Sequence, residues 1–375
     1  MIKQLALASA FSALLAGPPA CASASPSAEI RPFEGVPHDE SGVPIDTPYL
    51  YVANQGAATV TVIDANEASV VAVIRLEELG FGPNARPHHI AVEPDGVFWY
   101  VSLIGENRVL KFDRENQLVG SLEFERPGML AVHPTEDLLF VGRSMAAVNP
   151  PQRIGKIQRS TMTVEEIDVF VPRPHAIAVS RDGRWVFTSS LAENTLVAVE
   201  IESGEAELTR LDGNDPHVFV QFAISPDGGT LVATGQISGK LLVFDASTPR
   251  DLRLVREVAV NAEPWHPTYS PDGRYVYFGN LGTNTVTVID ASNWTVASVI
   301  SGEGLSEPHG IAVTSDGERL FVSNRNVKGA YTPQEALGFE EPNGTIVVID
   351  PVAGQVLGVL EVAPYAAGLG IAAPR

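Results

Sequence analysis

PHHIAVEPDGVFWYVS, residues 87–102, is the stretch of this sequence that decides the fold. An alternating apolar run, a turn around Asp95-Gly96 and a second apolar run indicate two antiparallel strands joined by a tight turn. NRVLKFD and LVGSLEF follow after further polar turns, so the unit contains four short strands. Four antiparallel strands of this length are typical of one blade of a β-propeller.

The same unit recurs along the chain, as PHAIAVSRDGRWVFTSS at 174–190, WHPTYSPDGRYVYFGN at 265–280 and PHGIAVTSDGERLFVSN at 308–324. A proline begins each unit, since it fixes φ just before a strand and needs no ladder partner there. The seven prolines are Pro87, Pro127, Pro174, Pro216, Pro264, Pro308 and Pro364. Their spacing of 40 to 56 residues lies near the blade repeat length and predicts an all-β, seven-bladed propeller.

The seventh unit is split between the two ends of the chain. Only one strand, predicted over 366–373, follows Pro364, whereas three strands without an opening partner stand at 48–56, 59–65 and 69–76. We therefore expect the C-terminal strand to pair with the N-terminal strands in one four-stranded blade and close the ring. Closure removes the open sheet edges that otherwise invite aggregation.

The first 24 residues are predicted to be an export signal. Lys3 supplies a positive start, and Leu5 to Ala16 form an apolar segment too short to span a bilayer. Cleavage fits after Ala22 or Ala24, and Cys21, the only cysteine, offers the alternative of a lipid anchor. We therefore expect a periplasmic or extracellular protein, with no transmembrane segment.

Residues 25–47 are rich in Pro, Ser and acidic groups and are predicted to form a flexible arm, and residues 48–375 form the propeller. The whole chain has 25 basic and 45 acidic residues, a net charge of −20. Nucleic-acid binding is excluded, because it requires a basic footprint. We expect a monomer whose small-molecule or protein ligand the sequence does not identify.

The repeat resembles the YVTN-repeat propellers, which include YncE-like periplasmic proteins. The matching segments are YLYVAN at 49–54, YVYFGN at 275–280, LFVSN at 320–324, VTVID at 286–290 and IVVID at 346–350. This resemblance covers nearly the whole predicted propeller and implies its fold. It implies little about activity, because propellers include both binding proteins and enzymes.

Histidines gather at the predicted start of the innermost strands. The residue after each opening proline is, in order, His88, Gly128, His175, His217, Trp265, His309 or Tyr365, and the next position adds His89, Met129 and His266. Seven equivalent blades would bring these side chains to one mouth of the central channel. His217 is the least regular member, because ten residues separate it from Asp227, whereas seven separate His88, His175 and His309 from their Asp.

Clustered neutral imidazoles suit transition metals. The ring of histidines resembles the propeller of nitrous oxide reductases, and this resemblance implies copper. Gly128, Trp265 and Tyr365 interrupt the ring, and no second copper domain follows. We expect His88, His89, His175, His217, His266 and His309 to hold copper, or else zinc or another divalent metal. The alternative is that these histidines only hydrogen-bond neighbouring loops.

Charged residues precede the opening prolines in a polarised order: Arg86, Arg126 and Arg173, then Asp215, Glu263 and Glu307, then Ala363. Together with Tyr365 and Trp265, the three arginines form a candidate rim for a carboxylate-bearing ligand. The alternative is ordinary solvated charge, worth little as exposed pairs.

The sequence thus predicts an exported binding propeller with a histidine-lined mouth that holds a transition metal. Two alternatives stay open. One is an enzyme, either a copper-dependent oxidoreductase or a divalent-metal lyase or lactonase, and the other is a metal-free interaction scaffold.

Overall fold

Residues 48–213 and 215–371 are described by a computed structural model. They form seven four-stranded sheets, each antiparallel throughout. The prediction of an all-β, seven-bladed propeller is therefore confirmed. The predicted signal peptide, the lipid anchor at Cys21, the arm over 25–47 and the last four residues of the chain lie outside the described residues.

The blades are numbered here in chain order. Blade 1 joins β28 (Ala366–Ile371) to β1 (Tyr49–Asn54), β2 (Thr59–Asp64) and β3 (Ser69–Arg75). Blade 2 contains β4 (Pro87–Val92), β5 (Phe98–Leu103), β6 (Arg108–Asp113) and β7 (Leu118–Glu123). Blade 3 contains β8 (Pro127–Val132), β9 (Leu138–Arg143), β10 (Arg153–Gln158) and β11 (Thr163–Asp168).

Blade 4 contains β12 (Pro174–Val179), β13 (Trp185–Ser190), β14 (Thr195–Glu200) and β15 (Ala206–Arg210). Blade 5 contains β16 (Phe219–Ile224), β17 (Thr230–Gly235), β18 (Lys240–Asp245) and β19 (Arg253–Ala259). Blade 6 contains β20 (Pro264–Tyr269), β21 (Tyr275–Asn280), β22 (Thr285–Asp290) and β23 (Thr295–Ile300). Blade 7 contains β24 (Pro308–Val313), β25 (Leu320–Asn324), β26 (Gly344–Asp350) and β27 (Gln355–Val362). Two short 3₁₀ helices, Leu76–Leu79 and Pro249–Asp251, lie in connections.

The ring closes through blade 1. Its innermost strand, β28, pairs with β1 and also contacts the innermost strands of blades 2 and 7, β4 and β24. Apolar side chains fill the spaces between neighbouring blades. Between blades 1 and 2, for example, the ring of Trp99 stacks on that of Tyr51 at 4.5 Å and on that of Phe112 at 4.3 Å between centroids.

Asp-Gly pairs shape the turn between the first two strands of five blades. The glycines at 96, 183, 228, 273 and 317 have φ between 68° and 78°, which glycine adopts without strain. The aspartate before each glycine accepts a backbone N–H two residues on, as Asp95 does from Val97. These bonds explain why the repeat spells Asp-Gly at this turn.

Blade 3 builds the corresponding turn around His133 instead. Nδ1 of this buried histidine accepts the backbone N–H groups of Thr135 and Glu136, and Nε2 donates to the carbonyl oxygen of Gly183 in blade 4, at 2.7 Å. His133 is therefore a structural link between two blades. Within the described part of the chain, no helix is long and apolar enough to cross a membrane.

Candidate functional site

A β-bulge near the start of every innermost strand defines the site. In blade 2, Pro87 pairs with Leu103 and Ile90 pairs with Val101, so three residues on β4 span two on β5. Corresponding irregularities occur in the other six blades. A bulge redirects side chains that strict alternation would place on opposite faces. The adjacent histidines His88 and His89 both lie in this bulge.

The residue before each innermost strand has a left-handed backbone conformation, and its carbonyl oxygen accepts an N–H from the residue after the second strand. This arrangement occurs once in each blade. With φ between 46° and 58°, the seven residues are Arg86, Arg126, Arg173, Val218, Glu263, Glu307 and Tyr365. They identify equivalent positions around the ring more reliably than the prolines do.

Two of the seven prolines do not begin a strand, which corrects the sequence register in blades 5 and 1. β16 begins at Phe219 instead of Pro216, and β28 begins at Ala366 instead of Pro364. The position of His88 is therefore occupied by Val220 in blade 5 and by Ala367 in blade 1. The cause in blade 5 is a longer entry loop, which the spacing of His217 from Asp227 had indicated.

Asp215 and His217 consequently lie before the ring, so their assignment to it was wrong. Asp215 forms an ion pair with Lys240 at 3.8 Å between oxygen and nitrogen. Nδ1 of His217 lies 2.9 Å from Oγ of Ser238, and its ring stacks on that of Phe219 at 5.4 Å.

The other five predicted histidines come together, and we call them the histidine cluster: His88, His89, His175, His266 and His309. The rings form a chain of neighbours in the order His175, His88, His309, His266, His89. The distances between successive ring centroids are 6.3, 5.8, 4.9 and 6.0 Å. Four of the five are buried, and His89 is partly exposed.

Hydrogen bonds at Nδ1 decide which ring nitrogens in the cluster carry a lone pair. Nδ1 of His88 lies 3.0 Å from Oε1 of Gln55, and Nδ1 of His175 lies 2.7 Å from the carbonyl oxygen of Arg143. Both Nδ1 atoms must donate to these acceptors, which leaves the lone pair on Nε2 in the neutral ring. Nε2 of His88 is buried without a partner in the described part of the protein.

His89 has the opposite tautomer. Its Nδ1 accepts the backbone N–H of Leu130 at 3.2 Å, so the neutral ring carries its proton on Nε2. His89 therefore offers a hydrogen-bond donor to the mouth, whereas His88 and His175 offer lone pairs. In His309, Nδ1 is buried and no described group bonds it.

Burial holds the whole cluster neutral at pH 7. Desolvation is the main cause, and it lowers the pKa of His89 to about 3 and that of His175 to about 4. The pKa values of His88, His266 and His309 are lowered well below the ordinary value by burial and then by neighbouring histidines. The site is thus unusually rich in neutral imidazole.

An apolar patch adjoins the cluster. Trp265 lies 5.3 Å from His309 between ring centroids and packs with Val220 and Leu281. Met145, from the loop over 144–152 between β9 and β10, packs against this patch, so the loop of blade 3 reaches residues of blades 5 and 6. The loop ends where β10 begins, at Arg153.

Comparisons with known proteins agree with this architecture. The family model described as "Lactonase, 7-bladed beta-propeller" matches residues 34–264 and 116–338. The chain belongs to this lactonase family. Among proteins of curated function, none matches the chain.

Many solved structures resemble this lactonase-family propeller, and two of them illustrate the likeness. A functionally unknown protein from Desulfotomaculum acetoxidans superimposes with a TM-score of 0.69 at 16% identity, covering 87% of this chain and 99% of that one. Hydrazine synthase of Kuenenia stuttgartiensis superimposes with a TM-score of 0.56 at 22% identity, covering 72% of this chain and 78% of that one. At these identities the likeness concerns the fold alone.

Arg325 is a mouth residue that the sequence analysis missed. It is the residue that follows the second strand of blade 7, and it donates to Glu307 at 2.9 Å and to the Tyr365 hydroxyl at 3.1 Å. Glu307 is buried and also accepts the backbone N–H of Lys328, so these cationic and N–H partners lower its pKa against the effect of burial. The repeat gave no signal for Arg325, since the other blades have Gln, Ile, Ser or Leu there.

Five of the six charged residues of the predicted rim hold equivalent backbone positions. Arg86, Arg126 and Arg173 hold equivalent places on blades 2, 3 and 4, with Glu263 and Glu307 on blades 6 and 7. The sixth position belongs to Val218 in place of Asp215. Since Glu307 is bound to Arg325, the rim is more cationic than the sequence suggested.

A cavity of about 500 Å³ lies at the opposite end of the channel, among the last residues of the inner strands of blades 5 to 7. Its walls are mainly polar, with hydroxyl groups from Thr268, Ser270, Thr314 and Ser315. Arg181 lines it, but Nε and Nη2 of Arg181 donate to the carbonyl oxygens of Ser225 and Ile224. Among its described lining residues, only Arg181 and Tyr269 are titratable, whereas five histidines gather at the other mouth.

Proposed function

We propose that this propeller is a binding protein that holds a transition-metal ion in the histidine cluster, with copper the first candidate and zinc the alternative. One observation carries the proposal. Nε2 of His88 is buried, has its lone pair available and lacks a partner among the described residues, inside a group of neutral imidazoles. A buried nitrogen of this kind is costly to leave unmatched, and a metal ion would satisfy it.

The spacing of the rings supports the proposal. A ligating imidazole nitrogen lies about 2.1 Å from the ion and about 1.2 Å from its own ring centre, so two ligating rings are about 4.5–6.5 Å apart. The distances along the cluster, from 4.9 to 6.3 Å, fall in this range. In addition, His175 donates Nδ1–H to a backbone carbonyl, which is how metal-ligating histidines are commonly oriented.

The imidazole rings of the cluster are close together, but their nitrogens do not converge on one position. Among residues 48–213 and 215–371, no group of three or more His, Cys, Asp or Glu side chains has the geometry to hold a metal ion. Binding would therefore require small rotations of the imidazoles about their side-chain bonds. His88, His175, His266 and His309 are the proposed ligands, and His89 is excluded from them while its Nδ1 accepts the Leu130 N–H.

Metal titration of chelator-treated protein tests this proposal. We expect about one equivalent of Cu²⁺ or Zn²⁺ to bind, measured by isothermal titration calorimetry and by elemental analysis after gel filtration. His88→Ala with His175→Ala should weaken binding by more than about 100-fold, since even outer-shell changes cost 10–100-fold. His217→Ala is the matched control, because it removes a histidine of the same face that lies outside the cluster.

Two results would contradict the proposal. Wild-type protein that takes up no metal after reconstitution would remove the metal site and leave a metal-free scaffold. Equal losses in the double variant and in His217→Ala would show that uptake depends on surface imidazole in general. Far-UV circular dichroism of each variant checks that the blades are intact.

The family name supports a second candidate, hydrolysis of a lactone. Nε2 of His88 carries a free lone pair that can accept a proton from an attacking water. Base consumption at constant pH with γ- and δ-lactones would measure this activity, and His88→Gln should abolish it. Wild-type rates no faster than spontaneous hydrolysis would rule out these substrates.

A further inference from the structure

The arginine side of the mouth has a property that the proposed metal site does not use. Arg86, Arg126 and Arg173, here called the arginine arc, occupy equivalent positions on three consecutive blades. None of the three makes an ion pair with a carboxylate in the described part of the chain. In a protein with 45 acidic and 25 basic residues, these three arginines on adjacent blades form a local cationic region.

Backbone carbonyls orient two of these side chains without neutralising them. Nη1 of Arg126 donates to the carbonyl oxygen of Ile104 at 3.2 Å, and Nη2 of Arg173 donates to that of Met145 at 2.7 Å. Both acceptors belong to the preceding blade, so the guanidinium groups are held along the rim. Nε of Arg173 is buried without a described partner. A planar guanidinium held in this way is suited to bind a carboxylate through two parallel hydrogen bonds.

The arc adjoins the histidine cluster along the chain. Arg86 lies two residues before His88, and Arg173 lies two residues before His175. Each of these arginines directly precedes the innermost strand on which its histidine stands. An anion bound by the arc would therefore lie next to the cluster.

The two carboxylates of the described rim do not neutralise the arc. Glu307 is committed to Arg325 and to the backbone of Lys328. Glu263 lies on blade 6, while the arc occupies blades 2 to 4. An anionic ligand can therefore bind the arc, and the Nε2–H of His89 is a further donor for it.

We propose that the mouth binds a small carboxylate anion, held by the arginine arc and reaching the histidine cluster. This proposal deepens the proposed function. It rests on that function in one respect, because the carboxylate would also be a ligand of the bound metal ion. The arginine contacts do not require the ion. A metal site alone would need no arginine arc, and an arc alone would need no cluster of neutral imidazoles.

Calorimetric titration with succinate, in chelator-treated and in copper-loaded protein, tests this inference. We expect succinate to bind both forms, and more tightly when copper is present. Arg86→Gln with Arg126→Gln should weaken binding by about tenfold or more, the loss expected for charge-assisted hydrogen bonds. Arg126→Lys keeps the charge but removes the planar fork, so it should recover only part of the affinity.

Arg184→Gln with Arg274→Gln is the matched control, because it also removes two positive charges, and both residues lie in Asp-Gly turns at the opposite ends of the strands. Inorganic phosphate is the second probe. Succinate binding that is absent, or unchanged in the double arginine variant, overturns the inference, as does arginine-dependent binding of phosphate alone. Failure of copper uptake with succinate binding intact would contradict the proposed function and leave the anion site standing.

Discussion

Acidification of the metal-free protein should cost it stability well above the pH at which carboxylates titrate. The histidine cluster is neutral when folded because burial lowers its pKa values, to about 3 for His89 and about 4 for His175. An unfolded histidine titrates near 6.5, so below that pH the unfolded chain binds more protons than the folded one. Stability is therefore complete above about pH 7.5 and falls as the pH drops through 6.5.

The size of the effect follows from these values. A pH of 5 lies about 1.5 units below the pKa of an unfolded histidine. Each of these pH units lowers the free energy of unfolding by about 1.36 kcal/mol per histidine. His89 and His175 together should lower the free energy of unfolding by about 4 kcal/mol between pH 8 and pH 5. His88, His266 and His309 each lower the free energy of unfolding further, by at most about 2 kcal/mol.

Urea unfolding at pH 8.0, 6.5 and 5.0 in the presence of a chelator measures this loss. The variant His89→Gln with His175→Gln should be less sensitive to pH by about 4 kcal/mol over this interval. Bound copper or zinc should flatten the wild-type curve, because coordination holds the rings neutral. Equal stability of the metal-free wild type at pH 8.0 and 5.0 would refute the reasoning.

Four further outcomes are expected. Truncation after Ala363 removes β28, opens the ring and should lower the melting temperature by at least about 10 °C; an unchanged melting temperature would contradict closure by blade 1. His133→Ala breaks the link between blades 3 and 4 and should cost about 2–4 kcal/mol in urea unfolding while leaving metal stoichiometry unchanged; loss of metal would argue against its structural role. Cu²⁺ should quench the fluorescence of Trp265, whose ring is 5.3 Å from that of His309, and a Trp265→Phe variant that is quenched as strongly would place the copper elsewhere. N-terminal sequencing and mass spectrometry of protein from cells should show cleavage after Ala22 or Ala24, or a lipid on Cys21, and an intact Met1 would contradict export.

Much of the fold could be predicted because its determinants are local. Alternating apolar runs and Asp-Gly turns specify short hairpins, and the repeat count specifies seven blades. The unmatched strands at the two ends predicted the pairing of β28 with β1, since an unpaired edge is unfavourable. Proline was a weaker guide. It marks the strand start in five blades, but Phe219 and Ala366 begin the strands of the other two.

The candidate site was predictable only as a set of positions. The repeat placed His88, His175 and His309 at one mouth. Its irregular spacing in blade 5 indicated that His217 does not occupy the equivalent position. Arg325 could not be found in this way, because the residue that follows the second strand carries no shared chemistry from blade to blade.

By itself, the sequence determined that the chain is a seven-bladed propeller with histidines and arginines near one opening, because these features depend on periodicity and spacing. Tertiary structure alone decided what those side chains can do. The bulge brought both His88 and His89 into the histidine cluster, and neighbouring groups then gave them opposite tautomers, through Gln55 of blade 1 and the Leu130 N–H of blade 3. Burial keeps these imidazoles neutral, and the ion pair with Arg325 neutralises the Glu307 carboxylate of the rim. Each of these effects depends on contacts between blades, which the order of residues along one chain does not contain.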